Sequence, residues 1–367
     1  MKVMVLGGYG NFGARISRAL AGDARIELLV AGRHAAKAQA FAQGLVRARG
    51  VGMDWSDSGF SDQLRALGVE LLIHTAGPFQ GQDYAVAQAC AAAGAHYIDL
   101  ADGRRFVCDF AARTDDIFRQ AGCVGITGAS TVPALSSAVV EALTLGWARL
   151  EAIDICIAPA QTAPRGVATL IAVLSYCGLA VPVWQEGRWQ DRTGWAELQR
   201  VEFLRLEPRR GAICDIPDLE LFPAHYSVSD RVVFRAALEV SATQRAIAGL
   251  AWLRRAGVLP RPERLARMLN AGAPWFDRWG SSLGGMVVRV AGQDETGQPV
   301  RKAWHIAADH DHGPEIPCMA AIVLARRLAQ GEAMAPGARA CVGLHQLSEF
   351  APEFAKWGMV TDIVLES

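Results

Sequence analysis

The chain has 367 residues, with 37 Lys or Arg against 37 Asp or Glu, so its formal net charge is zero. That balance, without a basic run longer than two residues, argues against a protein that holds nucleic acid by neutralising phosphates. None of the eight cysteines sits at CxxC spacing, which excludes a zinc knuckle or dithiol motif and reads as reduced, mostly buried thiols of a cytoplasmic protein.

The first apolar run, Val3 to Leu6, is too short for a signal-peptide core and reads as a strand. Further β-branched or apolar runs begin near Ile26, Val51, Glu70, His96 and Cys123, each followed by a helix-like stretch. This alternation predicts an α/β fold over residues 1–146: a Rossmann-type, doubly wound parallel sheet. After Trp147 the pattern changes. Leu150–Ile157 reads as a strand, Gly166 to about Cys177 as a buried helix, and Arg245–Asn270 as a helical pair broken by prolines. Gly285–Gly292 and Pro299–Ala308 flank a glycine turn and read as a long antiparallel hairpin. Residues 147–312 are thus expected to form a mixed α+β substrate and dimerisation domain. The helix Pro317–Leu328 and the tail, residues 313–367, are expected to return to the first domain. The stretch Gly166–Trp184 is uncharged and near membrane-span length, but its two glycines and Pro182 place it in a globular core, so no integral membrane segment is expected.

The chemistry is concentrated at the carboxyl ends of the predicted strands. Gly8, Gly10 and Gly13 form G-x-G-x-x-G directly after the first strand and at the start of the first helix. The first permits the tight turn, the second lets backbone approach a pyrophosphate, and the third lets helix pack on strand. Tyr9, Asn11 and Phe12 complete the loop, whose helix N-terminus offers free N–H groups and a positive dipole end. At the end of the second strand, where an acidic residue would select NAD, the chain has Gly32-Arg33. A guanidinium there grips a 2′-phosphate, so NADP is the expected cofactor, with NAD the alternative. Asp54, after the third strand, is placed either near the adenine or as a cap of the next segment. Thr75-Ala76-Gly77-Pro78 ends the fourth strand at the topological switch point and is expected to meet the nicotinamide ribose; Tyr84 follows it. Asp102, after the fifth strand, is a candidate for proton transfer or a helix cap, and Ser130 lies in the turn after the sixth.

In order, the glycine loop, the AGPF turn with its QGQDYAVAQAC helix, the HYIDLAD strand end and the Gly128-to-Pro133 turn resemble the saccharopine dehydrogenase-like oxidoreductases. The resemblance covers about the first 145 residues and continues more loosely through Phe222–Tyr226. It implies a Rossmann domain, a mixed-sheet substrate domain, NAD(P)-linked chemistry often at a C–N bond of an amino acid, and frequent homodimers. Members often carry Gly-Glu where this chain has Asp102-Gly103, and Asp where it has Ser130, which argues against saccharopine itself as substrate. In the second domain, Arg165 is a candidate for a substrate carboxylate, and His225 and Tyr226, in a proline-bounded loop, for proton donation and substrate contact. Asp309-His310-Asp311-His312 is read as a loop rather than a metal site.

The expected activity is an NADP-dependent oxidoreductase passing a hydride to or from a small substrate, at an imine, amine or carbonyl centre in the cleft between domains. The alternatives are reduction of a C=C bond in an apolar substrate and a non-catalytic NADP-binding sensor or scaffold. Replacing Arg33 by Asp is expected to weaken NADPH binding at least about tenfold, roughly 1.4 kcal/mol, as read by calorimetric titration.

Overall fold

In the computed structural model, which describes residues 1–164 and 166–366, the early alternation of apolar runs and helical stretches folds as successive parallel crossovers. Strand β1 (Lys2–Leu6) leads into helix α1 (Asn11–Ala21), then β2 (Glu27–Gly32), α2 (Ala35–Gln43), β3 (Ala48–Gly52), α3 (Phe60–Leu67) and β4 (Leu71–His74). The series continues with α4 (Ala85–Ala93), β5 (His96–Asp99), α5 (Arg104–Gln120) and β6 (Val124–Thr127). Residues 28–31 and 71–73 are wholly buried, as are residues 3–5, because helices cover both faces of the sheet. The third strand starts at Ala48 rather than near Val51: the polar Arg49 and the glycines on either side of Val51 mask it in the sequence, yet Ala48 to Gly52 pair residue by residue with Leu28 to Gly32.

Beyond β6 the chain enters a second unit, Ser136–Pro314. It contains α6 (Ser136–Thr144), β7 (Arg149–Ala158), α7 (Val167–Ser175), the hairpin β8 (Ala180–Gln185) and β9 (Arg188–Thr193), β10 (Leu198–Val201) and β11 (Arg209–Ile213). Then come α8 (Asp218–His225), β12 (Arg231–Ala236), α9 (Ser241–Arg255), α10 (Ala266–Gly272), and the hairpin of β13 (Gly284–Gln293) and β14 (Pro299–Ala308). This hairpin pairs over ten residues a side. Its turn is set by Asp294, whose Oδ1 accepts from Thr296 N and Gln298 N at 2.9 and 3.0 Å, and by Gly297 at φ +81°. The chain returns to the first unit for α11 (Ile316–Ala329) and β15 (Gly337–Ala340), then to the second for α12 (Ala351–Lys356) and β16 (Val360–Leu365).

The first unit holds a seven-stranded parallel sheet in the order β15-β6-β5-β4-β1-β2-β3. Six strands were expected; β15, short and flanked by polar residues, adds the seventh by pairing with β6. The crossovers from β1 run towards β3 on one side and towards β6 on the other, so the carboxyl ends of β1 and β4 flank the switch point. The second unit holds a nine-stranded mixed sheet in which β7 and β12 are parallel and β13, β14 and β16 continue antiparallel. The segment 313–367 therefore divides: α11 lies with α1, while β16 pairs β14 over Lys302–Ala307 and belongs to the second unit. The tail does not pack wholly on the first unit because its alternating strand completes an open edge of the mixed sheet.

Within the second unit α8 is held to α6 by buried polar contacts. Ser136 Oγ donates to Asp218 Oδ2 at 2.6 Å, and Tyr226 OH to Glu141 Oε1 at 3.0 Å. Burial raises the Asp218 carboxyl to about 7. No helix among the described residues is long and apolar enough to cross a membrane, and the uncharged stretch after Gly166 folds as the nine-residue α7 followed by β8.

At the carboxyl ends of β5 and β6, Asp99 is completely buried. Its Oδ1 accepts from Ala101 N, Thr127 Oγ1 and Gly128 N at 2.8–2.9 Å, tying the two strand ends together. Desolvation raises this carboxyl to about 6 despite those donors. A folded-state value above the unfolded one means that the stability linked to its proton is complete below about pH 4 and is lost as pH rises through 6. Asp99→Asn, which keeps an acceptor oxygen, is expected to remove that loss, so that its melting temperature gains on the parent between pH 4 and pH 7. Asp99→Leu leaves three buried donors unpaired and is expected to cost about 3 kcal/mol or more in chemical denaturation.

Candidate dinucleotide-binding site

The loop between β1 and α1 is shaped by close backbone contact. Gly7 takes φ +81°, and the N–H groups of Gly7 and Gly8 both donate to Ala31 O, at 2.9 and 3.1 Å. A Cβ on Gly13 would stand 2.2 Å from Gly7 O and 2.7 Å from Thr75 Oγ1, so α1 can approach β1 and β4 this closely only with glycine there. Gly10 differs. It is exposed in an extended conformation, and a Cβ on it would meet only Gly7 O, at 3.1 Å. No side chain caps α1, so its opening turn presents backbone N–H groups beside the bare face of Gly10. Asn11 braces this turn by accepting at Oδ1 from Arg15 Nη1 at 2.6 Å, and α11 supports it from behind, with Cys318 Sγ 3.6 Å from Phe12 O. The cradle fits a pyrophosphate: it is open, positive in dipole and free of side chains where backbone must come close.

Tyr9 lies across the end of β2. A Cβ on Gly32 would stand 2.5 Å from its ring, and the Tyr9 hydroxyl accepts from His34 N at 3.2 Å. Arg33, next to this contact, is exposed. Asp54 accepts from Ser56 N and Ser56 Oγ at 3.1 and 2.8 Å, and these bonds, with the nearby charge of Arg33, hold its carboxyl below the usual range. Asp54 thus caps its own turn, within reach of the charge of Arg33.

Across the switch point, Thr75 Oγ1 donates to Leu6 O at 2.8 Å, fastening the end of β4 to β1. Gln82 Nε2 donates to Ala76 O and Pro78 O, at 2.8 and 2.9 Å, and holds the turn Thr75–Pro78 in shape. Gln80 Nε2 reaches Asp102 Oδ1 at 3.1 Å, which places Asp102 beside this turn. Desolvation raises the Asp102 carboxyl, with Gln80 opposing, while much of its side chain still faces solvent. Tyr84 donates to Phe106 O at 3.1 Å and packs against the rings of Phe106 and Phe110, so its hydroxyl is engaged within the unit. Ser130 is buried in the turn after β6, where a Cβ on Gly128 would strike Pro133 Cδ at 2.7 Å.

The second-unit candidates lie on other elements. His225 is the last residue of α8 rather than part of a loop: Pro223 sits inside that helix and does not end it. Its exposed ring meets that of Tyr226 edge-on at 4.6 Å, and the Tyr226 hydroxyl is bound to Glu141. Arg165 lies outside the described residues. In the loop after β14, Asp309 accepts from Ser282 Oγ, Asp311 from Thr162 Oγ1, and His312 Nδ1 lies 3.0 Å from Trp357 O, so each of these side chains is bonded separately within its unit.

Sequence reasoning missed one group. His74 and Asp99 are neighbours in register across β4 and β5, and His74 Nδ1 is 3.1 Å from Tyr97 OH. Burial lowers His74 to about 3, so the ring stays neutral. The i,i+2 spacing of Tyr97 and Asp99 places both on one strand face and was the available signal; His74 joins them only through strand register. Gln82 carried no signal before the turn it braces was known.

Residues 3–138 match the family described as the saccharopine dehydrogenase NADP binding domain. Over the whole chain, the fold is similar to apo saccharopine dehydrogenase (L-Glu forming) from Saccharomyces cerevisiae, with a TM-score of 0.72 at 12% identity and 100% of each chain covered. It is also similar to homospermidine synthase from Legionella pneumophila in complex with NAD, with a TM-score of 0.64 at 10% identity, covering 100% of this chain and 91% of that one. No curated protein matches the sequence. Residues 3–138 belong to the saccharopine dehydrogenase NADP-binding family. The chain is an NADP-binding oxidoreductase of the dehydrogenase class, with NAD a possible alternative cofactor.

The two glycines separate cofactor binding from folding. Gly10→Ala is expected to leave the melting temperature within about 2 °C and to weaken NADPH at least about tenfold, because its methyl group projects into the space needed for close phosphate approach. Gly13→Ala is expected to cost about 1–3 kcal/mol of stability as well, since backbone must move. Thermal melts and NADPH titration of the two variants check both outcomes.

Proposed function

We propose that this chain catalyses hydride transfer between NADP and a small substrate at a C–N (imine or amine) or carbonyl centre. The observation that carries this reading is the glycine cradle beneath an uncapped helix, with Arg33 at the end of the neighbouring strand. When bound, the nicotinamide supplies or accepts the hydride. The chain's own part is to bind and orient. Gly8, Gly10, Gly13 and the first turn of α1 hold the diphosphate, Tyr9 and Arg33 the adenosine end, and Thr75–Pro78 the nicotinamide ribose.

Asp102 is our candidate for moving the proton. It is open to solvent at the carboxyl end of β5 and linked through Gln80 to the segment after Pro78. His225 is the second candidate, exposed at the end of α8. Tyr84, Ser130, Arg165 and Tyr226 are the substrate-side residues of the same reading. The emphasis on C–N chemistry rests on the family resemblance; the departures at Asp102-Gly103 and Ser130 support a substrate other than saccharopine. A homodimeric state and a cytoplasmic location complete the proposal, the first measurable by light scattering.

The purified protein is expected to oxidise NADPH with a keto acid plus an amine, or with a simple ketone, and Asp102→Asn to lower kcat by about 10²–10⁴ while leaving NADPH affinity unchanged. Turnover confined to enoyl compounds would favour C=C reduction. Tight NADPH binding without turnover over amines, keto acids, ketones and enoyl compounds would favour a sensor.

A further inference from the structure

The chain is neutral as a whole, but its charge is unevenly spread. Residues 241–279 contain seven arginines and two carboxylates, a surplus of five positive charges. None of these arginines forms an ion pair among the described residues. Arg254 is used internally, donating to Ser175 O at 2.7 Å at the end of α7, and Arg278 lies 4.3 Å over the Trp279 ring. Arg255 Nη1 reaches Thr193 Oγ1 at 3.4 Å, and the exposed Arg245, Arg261, Arg264 and Arg267 project from α9, from the short helical turn Pro262–Leu265 and the residue before it, and from α10.

The same segment exposes large apolar side chains. Trp275 is 80% exposed, Val258 71%, Trp252 66%, Met268 63%, Trp279 58% and Leu253 44%. These are six of the fourteen large apolar side chains exposed among the described residues, so the segment carries far more than its share. On α9 the buried positions are Gln244 and Ala251. Arg245, Gly249 and Trp252, at i, i+4 and i+7, are all exposed, so cation and aromatic ring share one helix face. α10 and the Pro262–Leu265 turn pack on α7 and on each other, the Ala273–Trp279 turns follow on α10, and α9 meets the end of α7 through Arg254.

We propose that residues 241–279 dock this protein on the surface of an anionic lipid bilayer. Tryptophan prefers the headgroup level, where its ring is apolar and its N–H stays wet. Arginine is drawn to anionic headgroups. The aliphatic Leu253, Val258 and Met268 gain by entering the acyl boundary, a gain that a nucleic acid does not provide. A second copy is disfavoured as the occupant, because a two-fold pair built on this patch would set five surplus positive charges against five. The longest helix here, α9, has 15 residues, so the contact lies in the interface and does not span the membrane. This inference does not depend on the catalytic reading.

The test is flotation of the full-length protein with vesicles of phosphatidylcholine alone or mixed with about one third phosphatidylglycerol. Flotation is expected with the anionic vesicles only, with a blue shift of tryptophan emission and loss of most binding in about 0.5 M salt. R261E/R264E/R267E is expected to abolish flotation and W275S/W279S to reduce it at least about fivefold, both with unchanged melting temperature and NADPH affinity. Four results would each overturn the proposal: no flotation, equal flotation with neutral vesicles, variants that float like the parent, or duplex DNA binding at least as tightly as the vesicles. A dimer that W275S/W279S converts to monomer would also overturn it, assigning the patch to a second copy.

Discussion

The close approach of α1 to the ends of β1 and β4 is the constraint on which the rest of the first unit depends. It exists because Gly13 omits the atom that would block it: a methyl group there would overlap Gly7 O. The approach aims the uncapped start of α1 at the switch point, where Thr75 fastens β4 to β1 and Gln82 shapes the following turn. N–H groups without a side-chain cap are ordinarily a weakness of a helix end; here they adjoin an open surface suited to a diphosphate.

The carboxylates show how environment separates residues of one type. Asp99 is the last residue of β5, and Asp102 follows three positions later. Asp99 is sealed off and spends one oxygen on three donors that join β5 to β6, whereas Asp102 faces water and accepts from Gln80. The first role is architectural and makes stability depend on pH; the second leaves a carboxylate free to exchange protons with a ligand. His74, neutral by burial and hydrogen-bonded to Tyr97, belongs with the architectural group although it stands at a functional edge of the sheet.

Neutral total charge also conceals a division of labour. The surplus of arginine in residues 241–279 must be balanced by acidic residues elsewhere, and only the fold shows that these arginines are not neutralised locally. Their neighbours in the sequence include Trp252, Trp275 and Trp279, which residue type alone assigns neither to a core nor to a surface. Relative exposure decides between the two.

Much of the first unit was legible because its determinants are local. A strand of buried apolar residues and glycine where backbone must come close each act within a few residues of themselves. The sequence by itself therefore specified the alternating α/β plan, the dinucleotide loop and the basic residue at the end of β2. It placed β3 too late and missed β15, since short polar edge strands acquire their identity only by pairing with a neighbour. It put His225 in a loop because Pro223 looked like a boundary, and it sent the whole tail to the first unit because the partners that β16 pairs with lie 53 to 63 residues earlier along the chain. Tertiary structure alone decided that Asp99 is buried while Asp102 is not, that His74 and Tyr97 meet, and that the tryptophans near residue 275 face outward. Each of these depends on register between strands or on which face of an element finds a partner, and neither quantity is encoded by any single segment.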